Sequence, residues 1–156
     1  MSIEGLLEDS IIADLQRDPV LQQQLIHKHD YAGAIGGDNQ ATDAEADSVI
    51  VVTVTDRGEI KMGSGIRNLM VEVQIRVNGE ADNFNGTLLD TLTEKVRLRL
   101  MPSPFASGVT PFRESFLSNS SIKIYGITNQ DATQRTESGL ERMRTVPATF
   151  IAAQIG

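Results

Sequence analysis

The 156-residue chain contains no cysteine and no tryptophan. Without cysteine there is neither a disulfide nor a thiolate metal site, and the composition suits a reducing compartment. Aromatic residues make up only 4% of the chain, too few for the base-stacking platforms that hold single-stranded nucleic acid. Positive charge is also scarce: 14 Lys and Arg stand against 21 Asp and Glu, a net charge of -7. Such a molecule is not drawn as a whole to DNA phosphates, although a local basic patch remains compatible with the numbers. No apolar run approaches the ~20 residues needed to span a bilayer. The opening Met-Ser-Ile-Glu-Gly-Leu-Leu-Glu-Asp is acidic where a signal peptide would be basic, so neither a membrane nor secretion by that route is expected. With 40% hydrophobic residues, the length suits one domain with a real core and is short for two.

What the chain does have is concentrated between Asn68 and Met101. Leu69, Val71, Val73, Ile75 and Val77 occupy every second position, with Met70, Glu72, Gln74 and Arg76 between them. Successive strand side chains point to opposite faces, so this is a long strand with one dry face. A polar break from Asn78 to Gly86 follows. Leu88, Leu89, Leu92, Val96 and Leu100 then recur at three- and four-residue steps along one side of a helix, which Pro102 stops. Laid over the strand's dry face, that helix makes a two-layer unit. Each aliphatic side chain fully buried between the layers contributes roughly 1.5–3 kcal/mol.

Upstream, Ser2 caps a first helix through Ile3, Leu6, Leu7, Ile11, Ile12 and Leu15. Asp18-Pro19 reads as a cap with a first-turn proline and predicts a short second helix to about Lys28, with Leu21, Leu25 and Ile26 on its apolar side. Residues 30–47 lack periodicity and read as a surface loop of the kind that meets a partner. A strand spans Ser48 to Asp56, apolar on both faces at its start, so both faces are expected to be covered there. Residues 57–67, with three glycines, connect it to the organising strand as an antiparallel hairpin, the loop being longer than a tight turn needs. After the central helix, 102–119 is a proline-containing connection with a helical turn expected around Pro111 to Leu117. Ser121–Asn129 and Arg144–Ile155 are the closing strands, and Gln130–Leu140 between them is polar. The order α-β-β-α-β-β predicts a single α+β domain over residues 1–156, with a mainly antiparallel sheet packed on a central helix.

The usual signatures of chemistry do not assemble. His27 and His29, two apart on the expected helix, point about 200° from each other, whereas metal pairs on helices sit three or four apart. Asp43, Glu45 and Asp47 resemble the start of a calcium loop, but Ser48 stands where it needs glycine and Val54 where it needs glutamate. The glycines at 33–37 and 63–65 come without a P-loop lysine or dinucleotide spacing, and there is no Gly-x-Ser-x-Gly elbow. Lys95, Arg97 and Arg99 crowd the end of the central helix, where positive charge suits the helix dipole. Arg142 and Arg144 share one face if the last strand already runs there. No catalytic residue, cofactor or metal is expected.

The hairpin Val-Ile-Val-Val-Thr-Val-Thr-Asp and Leu-Met-Val-Glu-Val-Gln-Ile-Arg-Val, the helix Leu-Leu-Asp-Thr-Leu-Thr-Glu-Lys-Val-Arg-Leu-Arg-Leu, the N-terminal helix before them and the two strands after them resemble the tail terminator (tail completion) proteins of long-tailed bacteriophages. The likeness runs from about Ile3 to Ile155 and rests on element order, size and the texture of residues 49–101. It implies a structural virion protein and no enzyme. It implies a homohexameric ring that caps the tail tube, stops its polymerisation and receives the head connector, with DNA passing through as cargo. In a contractile tail the sheath protein is a further partner. Such a ring needs one patch to meet a different patch on the next copy. The residues expected there are Arg57, Glu59, Lys61 and Arg67 in the second loop, Arg97 and Arg99 at the helix end, and Arg142 and Arg144 on the last strand. Two alternatives stand beside this reading: a head-completion or tail-tube-like neck subunit of the same virion, and a small cytoplasmic ligand-binding α+β domain.

Overall fold

The dry face of the organising strand is the middle of the molecule. In a computed structural model, which describes residues 2–28, 48–82, 86–101, 117–138 and 141–155, it runs from Ile66 to Asn78 as strand β3. Leu69, Val71, Val73, Ile75 and Val77 are all fully buried. Around β3 lie helix α1 (Ile3–Leu15) and strands β1 (Leu25–Lys28) and β2 (Ser48–Glu59). Helix α2 (Thr87–Arg99) and strands β4 (Ile122–Asn129), β5 (Thr136–Ser138) and β6 (Glu141–Gln154) complete the set. The strands form one six-stranded sheet in the order β1-β2-β3-β6-β4. All pairs are antiparallel except β1–β2, which is parallel. Strand β3 takes one edge of β6 along its whole length, so β5, at Thr136↔Met143, shares the other edge with β4. The fold is α+β with a mixed, mainly antiparallel sheet and an N-terminal helix.

Register explains which side chains are dry. Val54, Val52 and Ile50 lie opposite Val71, Val73 and Ile75, and Val146, Ala148 and Phe150 lie opposite Val73, Val71 and Leu69. All belong to one hydrophobic cluster with Ile3, Leu7, Ile11 and Leu15 of α1 and Leu89, Leu92, Val96 and Leu100 at α2. Both helices therefore cover the same face. On β4 a register shift between Ile124 and Gly126 resets the two-residue period. Ile124 and Ile127, three apart, thus both reach the core.

The helix ends are satisfied in two ways. Ser2 accepts the Gly5 N–H at 3.1 Å, an ordinary N-cap for α1. Helix α2 has no such residue at Gly86, whose φ of 84° needs glycine. Asp82 does the work from outside: its carboxylate, 1% exposed, accepts the Gly86 N–H at 2.8 Å and the Leu89 N–H at 3.0 Å. The helix N-terminus thereby gains its acceptor and a favourable negative charge.

The second helix expected over 19–28 does not form. The cap is present, since Asp18 accepts the Val20 and Leu21 N–H groups at 2.8 and 3.2 Å. It opens only a single 3-10 turn at Leu21–Gln23, and Leu25–Lys28 is strand β1, paired with Val49–Val52. A ten-residue helix with few apolar contacts is marginal, whereas β2 offers a row of backbone partners. His27 thus sits on a strand; His29, the 30–47 loop with Asp43, Glu45 and Asp47, and the turn expected at 111–116 lie outside the described residues. The 57–67 connection is strand at both ends, with 60–65 as the turn: β2 continues to Glu59 and β3 begins at Ile66. The last strand starts earlier than expected, at Glu141.

Candidate interface surfaces

Three surfaces bear on the expected contacts. The first is the tip of the β2–β3 hairpin. A register shift between Asp56 and Glu59 is built on Gly58 at φ 110°, and Gly63 and Gly65 turn the chain at φ 82° and 73°. The turn is held at every level. Ile60 N–H donates to the Ile66 carbonyl at 2.9 Å and Ser64 N–H to the Lys61 carbonyl at 3.0 Å. Gly65 N–H donates to Glu59 at 3.3 Å. Beneath it, Arg67 Nε meets Asp56 Oδ2 at 2.6 Å, and its Nη1 lies 3.6 Å from Glu59. Above this braced base Ile60 is 54% and Met62 97% exposed.

Two opposed effects set the Asp56 carboxyl. Desolvation at the crowded base raises its pKa, but the hydrogen bond from Arg67, the one from the Gly58 N–H and the guanidinium charge together outweigh it. The net pKa lies below the ordinary 3.8. The same hydrogen bond holds the Arg67 guanidinium more firmly protonated. A depressed carboxyl pKa in the fold stabilises above the unfolded value and is lost as pH falls through the folded one. The stability advantage of the native chain over Asp56→Asn is therefore expected in full above about pH 5 and to be lost on further acidification through the folded pKa. Denaturant midpoints of the two proteins, compared from pH 7 down to pH 2, check this; a constant difference would exclude the ion pair as its source.

The second surface is a cleft of about 420 Å³ between α2, the start of β6 and the segment before β5. Arg144 donates to Asp90 at 3.0 Å and to the Thr133 carbonyl at 2.9 Å. Arg97 clasps Glu94 through two hydrogen bonds of 2.9 and 2.7 Å. The hydrogen bond from Arg97 is the main reason the Glu94 carboxyl lies below its usual range. Asp131 completes the rim and adds to the field that keeps Arg97 charged. Thr93, 3% exposed, and Ala132, packed on the core, also line the cleft.

The third surface is the sheet face opposite the helices. Met70, Pro147, Thr149 and Ile151 are half-buried there, and no described helix covers them. At its β2 end Val49 and Val51 are 0% and 5% exposed although they lie outside the main cluster, so both faces of β2 are indeed covered at its start.

The eight charged residues expected at contacts separate into groups. Arg57, Glu59, Lys61 and Arg67 all belong to the hairpin's outer end. Arg97 and Arg144, from different elements, meet in the cleft. Arg99 turns inward to Asp14 at 3.4 Å, the two side chains being 13% and 1% exposed. Arg142 is 10% exposed and holds Glu137 at 2.7 Å. Sequence reasoning passed over Met62, Ile60 and Asp131. The first two carried a signal: apolar residues inside an otherwise polar, glycine-rich turn. A scan against protein-family models and a search of curated proteins find no match to this chain.

Proposed function

We propose that the chain is a structural virion protein, a ring-forming tail terminator that caps the tail tube, stops its growth and joins the tail to the head connector. The observation that carries this reading is the hairpin tip. Its base is fixed by the Asp56–Arg67–Glu59 cluster, and its outermost side chains, Ile60 and Met62, face solvent. A monomer gains nothing by ordering an apolar knob outside its core, whereas a contact element gains a pre-organised surface. The resemblance in element order supplies the setting: copies of itself, the tube protein below, the connector above and DNA in the lumen. An acidic subunit suits a conduit that lets DNA pass without gripping it. Size-exclusion chromatography with light scattering, followed by negative-stain microscopy of purified tails with added protein, tests the reading. A ring of about six copies on tail ends supports it, and bare tail ends together with a monomeric protein would overturn it.

A further inference from the structure

We infer that the hairpin tip of one copy docks into the α2–β6 cleft of a second copy, with Lys61 meeting Asp131 and Met62 resting on Thr93 and Ala132. The inference rests on the self-assembly in the proposed function and names the two patches involved. Complementary charge is the first argument. Among the described residues Lys61 has no ion-pair partner, and it stands at the tip beside Met62, which is 97% exposed. In the cleft each guanidinium already has a carboxylate, Arg144 with Asp90 and Arg97 with Glu94. Asp131 has no ion pair within 4 Å among the described residues, and the seven lining residues together carry one net negative charge.

Placement is the second argument. Arg144 lies opposite Ile75 and Ala153 opposite Ile66. The cleft and the tip are thus at opposite ends of β3, separated by about nine strand residues at roughly 3.3 Å each, or roughly 30 Å. A tip cannot enter its own cleft. Two unlike, complementary patches at opposite ends make a head-to-tail contact, which closes into a ring when the rotation between copies allows. The braced turn means that little tip order has to be acquired on docking.

Charge exchange tests this directly. Lys61→Glu or Asp131→Lys alone places like charges together and is expected to weaken self-association at least about tenfold in sedimentation velocity. An equimolar mixture of the two variants, or the double variant, is expected to recover it, because each tip again finds an opposite charge. Since the chain has no cysteine, Met62→Cys mixed with Ala132→Cys and oxidised glutathione adds a second readout, an intermolecular disulfide joining one variant to the other. Single variants that associate like the native chain, or a mixture that neither recovers nor cross-links, would overturn the docking. If those variants still cap tail ends, the terminator reading survives its loss. A chain that is monomeric throughout and forms no cross-link overturns the docking as well, and tail-end capping in that case decides the terminator reading separately.

Discussion

Phe150→Ala is expected to remove about 3–5 kcal/mol of stability. Phe150 is fully buried on β6, between Leu69 of β3 and Ile127 of β4 in the register. Truncation loses the transfer energy of the ring and leaves a cavity that two hydrogen-bonded neighbouring strands cannot close. A domain of this size has about 5–15 kcal/mol in total, so the loss is a large fraction of it. The measurement is the urea midpoint, which should fall with little change in slope. Phe150→Leu should lose much less, because most of the volume is kept. A midpoint unchanged by the alanine variant would show that this position is not in the core.

Asp14→Ala is the second large effect, again about 3–5 kcal/mol. Asp14 is 1% exposed and Arg99 13%, with 3.4 Å between Arg99 Nη1 and Asp14 Oδ1, and the pair ties α1 to the end of α2. Removing the carboxylate takes a 3.4 Å charge contact from a guanidinium that lies largely out of water. Removing both charges, with Asp14→Leu and Arg99→Met, should cost far less, since two well-packed apolar groups replace a desolvated pair. A double-mutant cycle in urea reads the difference. The Glu94–Arg97 pair is the internal control: Glu94 is 55% exposed, and Glu94→Ala should change stability by no more than about 0.5 kcal/mol. Equal costs for the two carboxylate deletions would contradict this ranking.

These two sites mark how far the sequence could be read. Phe150 lay on a visible strand and β3 on a visible alternation, because one face of each had to be dry and the period of side chains says which. The central helix was legible for the same reason. Asp14 and Arg99 are 85 residues apart, and a carboxylate in the last turn of a helix carries no local mark of burial. Glu8 is similar: fully buried, it accepts the Val54 N–H at 3.2 Å, yet it reads in sequence as an ordinary helix glutamate. Strand β1 failed in the other direction. Its four residues are too few for a period, and its pairing with β2 is a tertiary fact that overrode a valid capping signal. At the candidate surfaces, glycines 58, 63 and 65 announced a turn. That Arg97 and Arg144 would share a cleft while Arg99 and Arg142 turned inward depended on register and helix phase together.

For the proposed terminator role, the most direct measurement is the length of tail tubes polymerised from a cognate tube protein with and without this chain, viewed by negative stain. With it, tubes should stop growing and carry a closed ring on one end. Tubes of unchanged length whose ends stay bare, with this protein folded and in excess, would contradict the proposed role.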